Sequence, residues 1–265
     1  MDSHFLIIIL DCIGIAVLAG LISGIFGGGS GLIMVPGFFY VLQDFHLNEA
    51  YLIQMAIATT CATSSFLGIL STRVQWRQNQ IDFAAFKQLI PGMTVGSIFA
   101  VILLNIISSE LLKKLFGVLV LVVGIWFILY QQEKDTKLWS LYSKANYFFS
   151  TLIALFWFLL GAAVFTTPYL HKCGLDFRRA IGTATLNSTV FSAIMAILLI
   201  LTGWHQIGIT KQHLGFISIP LFLSAAIPSS IAAHYGSQIS IWLPKKYLKS
   251  IYACLIFIIG VLMLV

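Results

Sequence analysis

Charge is what this chain has least of. Of its 265 residues only 9% are Asp, Glu, Lys or Arg, against about 25% in a soluble domain, which excludes a soluble globular chain. Cysteine is scarce and scattered: Cys12, Cys61, Cys173 and Cys254 form neither a disulfide framework nor a metal-ligand spacing. His171, His213 and His234 are dispersed without i, i+4 pairing. No metal or other cofactor is therefore expected, and the buried cluster that a membrane-embedded enzyme would need is missing. There is no phosphate-binding glycine–lysine loop, so ATP does not drive this chain directly. The formal charge of +6 comes without an aromatic-interleaved basic groove, which argues against nucleic acid and for contact with lipid headgroups. The start, Met1-Asp2-Ser3-His4, lacks the positive region of a signal peptide, and the apolar run behind it reads as a retained first span.

What is present is hydrophobic length. The chain is 59% hydrophobic, with a mean hydropathy of +0.98. Apolar runs lie at about 5–25, 31–43, 50–71, 84–106, 110–130, 145–170, 179–202, 213–235 and 247–265, and most approach the roughly 20 residues needed to cross a bilayer. They do not alternate in the manner of barrel strands. The expected fold is an all-α, multi-pass membrane bundle of about eight spans, with the short 31–43 run dipping in and returning. Trp76, Trp139, Trp204 and Trp242 fall near span ends as interfacial anchors.

The polar run Gln131–Lys137 divides the chain near its middle, and the two sides match in order. Gly29 to Pro36 has the spacing of Gly161 to Pro168. Ala56-Ile57-Ala58-Thr59 recurs as Ala180-Ile181-Gly182-Thr183. Trp76 and Ile81 match Trp204 and Ile209, and Leu112-Lys113 followed by Gly124 matches Leu248-Lys249 followed by Gly260. One membrane domain over 1–265 is expected, made of a first repeat (1–131), a connector (132–144) and a second repeat (145–265). Four crossings per half would make the repeats parallel; five would make them inverted. Basic residues lie on both sides of an eight-span layout, so orientation is nearly undetermined. The reading adopted has both termini and the Arg73–Arg77 loop inside.

The stretch with the strongest chemical content is Ser23 to Gly37. Gly27, Gly28, Gly29 and Gly31 each cost a helix about 1 kcal/mol relative to Ala, so the helix breaks there. Broken backbone at membrane depth survives only beside protein or a water-filled cavity. A new helix starting after Ser30 would aim its N–H groups and positive dipole end into the gap, as transporters do for anionic substrates. The plainer reading is that the glycines only let two helices pack closely. A second feature is small polar side chains at equivalent places: Thr59, Thr60, Thr63, Ser64 and Ser65 in one half, and Thr183, Thr185, Asn187, Ser188 and Thr189 in the other. They can donate to an oxyanion without bringing charge into the membrane, or bond their own helix turn or a neighbouring helix. Asp11 is the one acid well inside an apolar run. It is a candidate for proton coupling, or it reaches the headgroup region. Lys87 snorkels, and Arg73 and Arg77 either set orientation or attract an anion at a mouth.

The run Gly27-Gly28-Gly29-Ser30-Gly31-Leu32-Ile33-Met34-Val35-Pro36 resembles the glycine-rich signature of the TauE/SafE sulfite exporter family. Ile181-Gly182-Thr183-Ala184-Thr185 is similar to that family's second-half block, and the turn ending Gln80-Ile81-Asp82 and the Leu112–Gly117 segment also fit. The resemblance implies an integral inner-membrane transporter of small anions, often sulfur-containing ones such as sulfite, sulfoacetate or thiosulfate. The second half departs from the pattern, with Gly161-Ala162-Ala163-Val164 where the family often repeats a triple glycine.

The function expected is a secondary transporter of small anions, not an enzyme, with protons as a candidate coupling ion. The substrate-binding residues expected are Gly27, Gly28, Gly29, Ser30, Gly31, Thr59, Thr60, Thr63, Thr183, Thr185 and Asn187. An anion channel is the nearest alternative, followed by a membrane-embedded enzyme and a structural or assembly protein. Which anion, its direction and the oligomeric state stay open.

Overall fold

In a computed structural model the described residues are 3–26, 28–44, 51–129, 145–160, 165–204, 206, 212–242 and 257. Gly27, the connector 132–144, Gly161 to Val164 and all of the expected last span except Phe257 lie outside them. The described residues form nine helices: α1 (Ser3–Phe26), α2 (Gly31–Asp44), α3 (Leu52–Arg77), α4 (Phe83–Ile106), α5 (Ser109–Leu129), α6 (Ala145–Leu160), α7 (Thr166–Lys172), α8 (Phe177–Gly203) and α9 (Ile219–Trp242). Four stretches are long and apolar enough to cross a membrane: Ile8–Ile25, Leu52–Arg77, Phe83–Ile106 and Phe177–Gly203. Exposed Val95, Ile98, Phe99 and Ile102 on α4, with Leu223, Ile227 and Ile231 on α9, give the bundle an apolar exterior. A multi-pass, all-α membrane protein is what this architecture describes.

Two expected spans come out differently. The 145–170 run divides into α6 and the short α7. The 213–235 run starts late, because residues 213–218 form a small antiparallel hairpin, β1 (His213–Leu214) with β2 (Ile217–Ser218). Gly215, at φ 59°, turns this hairpin, and a Cβ there would meet the Ile200 carbonyl oxygen at 2.5 Å. Burial also holds the His213 imidazole below its ordinary pKa, which favours its neutral form.

Close backbone approach builds the bundle. A Cβ on Gly20 would sit 2.3 Å from the Ser229 carbonyl oxygen, and one on Gly24 would sit 2.2 Å from that of Ala233. This seam joins α1 to α9, running in the same direction. Gly92 and Gly96 of α4 meet Ser150 and Ala154 of α6 in the same parallel sense. Small residues permit such approach where lipid supplies no hydrophobic drive between helices. At the centre α3 and α8 run antiparallel: Thr72 bonds Thr189 at 3.1 Å, while Thr183, near the start of α8, meets Asp82, just past the end of α3.

These directions correct the expected topology. Thr59 and Phe66 of α3 meet Ser218 and Phe222 at the start of α9, so α3 runs parallel to α9 and hence to α1. The intervening α2 therefore takes the chain back rather than dipping in and returning to the same side. At 14 residues it is about 21 Å long, short of the ~30 Å hydrocarbon core. The start of α1 and the Arg73–Arg77 end of α3 accordingly lie at opposite ends of the bundle, not at one. Exposed Trp76 and Trp204 mark those opposite ends.

Candidate functional site

The site is built where α1 stops and α2 begins. Gly28 and Gly29 take φ of 154° and 104°, values that suit glycine and few other residues. They turn the chain so that Ser30 points at α3, where its hydroxyl and that of Ser64 are 2.8 Å apart. The first turn of α2 closes on the break itself: Leu32 N–H donates to the Gly29 carbonyl, and Met34 N–H to that of Ser30. The N–H groups of Ser30 and Gly31 have no acceptor among the described residues. Ser64 lies midway along α3, so a helix long enough to cross holds the break at half its depth.

Thr60, one turn before Ser64 on the same face of α3, is 1% exposed and its hydroxyl has no partner. Thr60 thus lies one helical turn from the Ser30–Ser64 contact. Thr59 and Thr63 turn elsewhere: Ser218 N–H donates to Thr59 Oγ1 at 3.0 Å, and Thr63 Oγ1 donates to the Thr59 carbonyl at 2.8 Å. In the second half, Asp82 N–H donates to Thr183 Oγ1 at 2.9 Å, and Thr185 Oγ1 donates to the Ile181 carbonyl. Thr59 and Thr183 therefore do the same thing in their two halves. Each holds the entry to the fourth helix of the other half, α9 for Thr59 and α4 for Thr183.

Asn187 is buried with both amide atoms unpartnered. It borders a cavity of about 10 Å³ with Ile90, Met93 and Thr94 of α4, at the lower limit for a single water. No hydrogen bond joins it or Thr183 to the Ser30–Ser64 pair. Asp11 lies apart from both groups. It lines an open groove of about 530 Å³ between α1 and α2 with Tyr40 and Gln43, about 22 Å of helix away from the break. Neither cavity is lined by Gly28–Gly31.

Some buried polar residues lie beyond the expected set. Among the described residues, Thr166 and Thr167 open α7 with unpartnered hydroxyls, and Ser71 and Gln75 carry unpartnered oxygens near the end of α3. The second pair has a readable signal: 60, 64, 71 and 75 fall on one helical face. Among the described residues no group of His, Cys, Asp and Glu could hold a metal.

A bundle with an apolar exterior, hydroxyls and amides at its centre, and a helix broken at mid-depth has the build of a membrane transporter. The family model for the sulfite exporter TauE/SafE matches residues 12–263, and the chain belongs to that family. It is 24% identical over 96% of its length to a probable membrane transporter protein of Haemophilus influenzae, covering 97% of that chain. A probable membrane transporter protein of Methanocaldococcus jannaschii is 22% identical over the whole chain, with 98% of its own length covered. One from Xylella fastidiosa is 27% identical over 43% of this chain and 42% of its own. No solved structure matches. The chain is thus a multi-pass membrane transporter, of a family that is not enzymatic.

Proposed function

We propose that the chain is a secondary transporter of small, sulfur-containing anions such as sulfite or an organosulfonate, acting in the cell's inner membrane. The solute would be held at the break by Ser30, Thr60, Ser64 and the backbone amides of Ser30 and Gly31. The observation that carries this reading is the Ser30–Ser64 contact at the middle of α3. It sets uncharged donors at half-depth, where a desolvated anion needs them. Every described Lys and Arg lies outside the buried set, so the site attracts by dipoles and hydroxyls.

The packing supports two inverted repeats. α1 lies on α9 as α6 lies on α4, and the equivalent α3 and α8 are antiparallel. Alternating access would then be a rocking of one repeat against the other, which opens the buried break to each side in turn. The same directions favour an orientation. Among the described residues, Arg73, Arg77, Lys87, Lys172, Arg178 and Arg179 gather at the end of α3 and start of α8, against Lys113 and Lys114 at the other end. By the charge rule the first end is cytoplasmic, and the start of α1 faces outward. Alkaline phosphatase fused ahead of α1 is expected to be active; an inactive fusion reverses the assignment.

Uptake into inverted membrane vesicles tests the function, with sulfite, thiosulfate and methanesulfonate supplied outside. Saturable uptake that Gly28→Leu reduces at least tenfold is expected. Single-channel currents would replace the transporter with a pore, and no uptake of any anion would end the reading. For an anion leaving a negative interior, 100 mV supplies about 2.3 kcal/mol per charge. If protons add to this through Asp11, Asp11→Asn removes the response to an imposed pH gradient while leaving gradient-free uptake in place; an unchanged response rejects that role.

A further inference from the structure

One face of α3 carries more polar surface than the break needs. Thr60, Ser64, Ser71 and Gln75 follow one another at i, i+4, i+11 and i+15, within about 60° of arc at 100° per residue. The four span about 22 Å along the axis. Thr60, Ser71 and Gln75 are only 1%, 2% and 4% exposed. Among the described residues Thr60 Oγ1, Ser71 Oγ and Gln75 Oε1 have no hydrogen-bond partner. Each such group costs about 1–3 kcal/mol when left unsatisfied, and native structures keep few of them. Three on a single face, with Ser64 bonded to the broken segment between them, is a costly arrangement for packing alone.

The face runs from the glycine break toward the end of α3, where exposed Arg73 and Arg77 stand with Arg178 and Arg179 at the start of α8. Between Ser64 and Ser71 it is flanked by Gly68, where α8 presses close: a Cβ there would meet Thr189 Oγ1 at 2.3 Å. From this geometry we infer that the Thr60–Ser64–Ser71–Gln75 face is the route of the anion between the break and the basic end of the bundle. Ser71 and Gln75 are a second binding station, and the Gly68–Thr189 contact is the narrowing between the two stations. The inference rests on the proposed anion transport. The Ser71 hydroxyl and the Gln75 Nε2 group suit a small oxyanion, because both can donate without a counter-charge that would hold the ion too tightly to leave, while Gln75 Oε1, an acceptor, is left to water.

Thiol accessibility tests it. In a chain with Cys12, Cys61, Cys173 and Cys254 replaced by Ala, the substitutions Ser71→Cys, Gln75→Cys, Ala58→Cys and Ile69→Cys are made singly. Each is treated in inverted vesicles with a membrane-impermeant, negatively charged thiosulfonate reagent. Ala58 is buried on another face of α3 and Ile69 is exposed on the apolar exterior, so both serve as unreactive references. Labelling of the Ser71→Cys and Gln75→Cys variants at least tenfold faster than the references is expected, slowed at least threefold by methanesulfonate. Labelling no faster than at Ala58→Cys, in vesicles that still take up methanesulfonate, overturns the route and leaves the transport reading intact. Fast labelling that methanesulfonate never slows, in vesicles without uptake, overturns both. Gln75→Leu in the otherwise natural chain is an independent check. Methanesulfonate uptake is expected to fall at least tenfold with thermal stability kept or raised, and uptake at the natural rate overturns the second station.

Discussion

On the proposed duplication α3 and α8 are counterparts, yet they bury different chemistry. Aligned at Thr59 and Thr183, the positions of Thr60, Ser64, Ser71 and Gln75 in α3 are held in α8 by Ala184, Ser188, Met195 and Leu199. Ala184, Met195 and Leu199 are fully buried and apolar. What the two helices keep in common is the threonine that receives an N–H from the opposite half, Ser218 for Thr59 and Asp82 for Thr183. The shared residue is therefore architectural, and the differing residues are the ones left with unsatisfied polar atoms. A duplicated scaffold can keep its joints symmetric while placing function on one side.

The largest disturbance to this pair is expected at their crossing. Gly68→Leu puts a side chain where even a Cβ would lie 2.3 Å from Thr189 Oγ1. Separating two packed helices in this way costs on the order of 1–3 kcal/mol or more, so a lowered melting temperature in detergent and lost uptake should follow together. Next come the joints. Thr59→Val or Thr183→Val strands a backbone N–H and should destabilise by about 1–3 kcal/mol each, to similar extents; a large effect at only one would break the symmetry claimed for them. The neighbouring Thr60→Val should do the reverse. It removes an unpartnered hydroxyl, so stability holds or rises by about 1 kcal/mol while anion uptake falls. Smallest is Ala184→Ser, the matching change in α8. Its hydroxyl can bond the preceding turn, as Thr185 does, and both uptake and melting temperature should stay near natural values. If Ala184→Ser altered uptake as much as Thr60→Val, the functional difference between the helices would be gone.

The contrast also explains what the sequence could and could not tell. The break at Gly28–Gly31 was legible because clustered glycine in an apolar run has a local cost that no neighbour needs to supply. Thr59 and Thr60 were legible as polar residues in a span, but adjacent threonines point about 100° apart, and only their neighbours decide which is a joint and which is free. Ser71 and Gln75 were passed over because Arg73 and Arg77 beside them make that turn read as interface, although their spacing from Thr60 was visible. The direction of α2 could not be read locally. It follows from α1 and α3 both running parallel to α9, a partner almost the whole chain away. Charge then became informative: among the described residues six of the eight lysines and arginines stand at one end once α2 returns the chain.

The glycine seam between α1 and α9 has a consequence for how the protein is made. The bare backbone at Gly20 and Gly24 is shaped for Ser229 and Ala233, which leave the ribosome roughly 200 residues later. At 5–20 residues per second that is a wait of about 10–40 s. α6, by contrast, emerges after α4 has been synthesised. α1 is thus late to find this neighbour, and until α9 is made its glycine groove lies open to lipid or to whatever insertion factor shelters it.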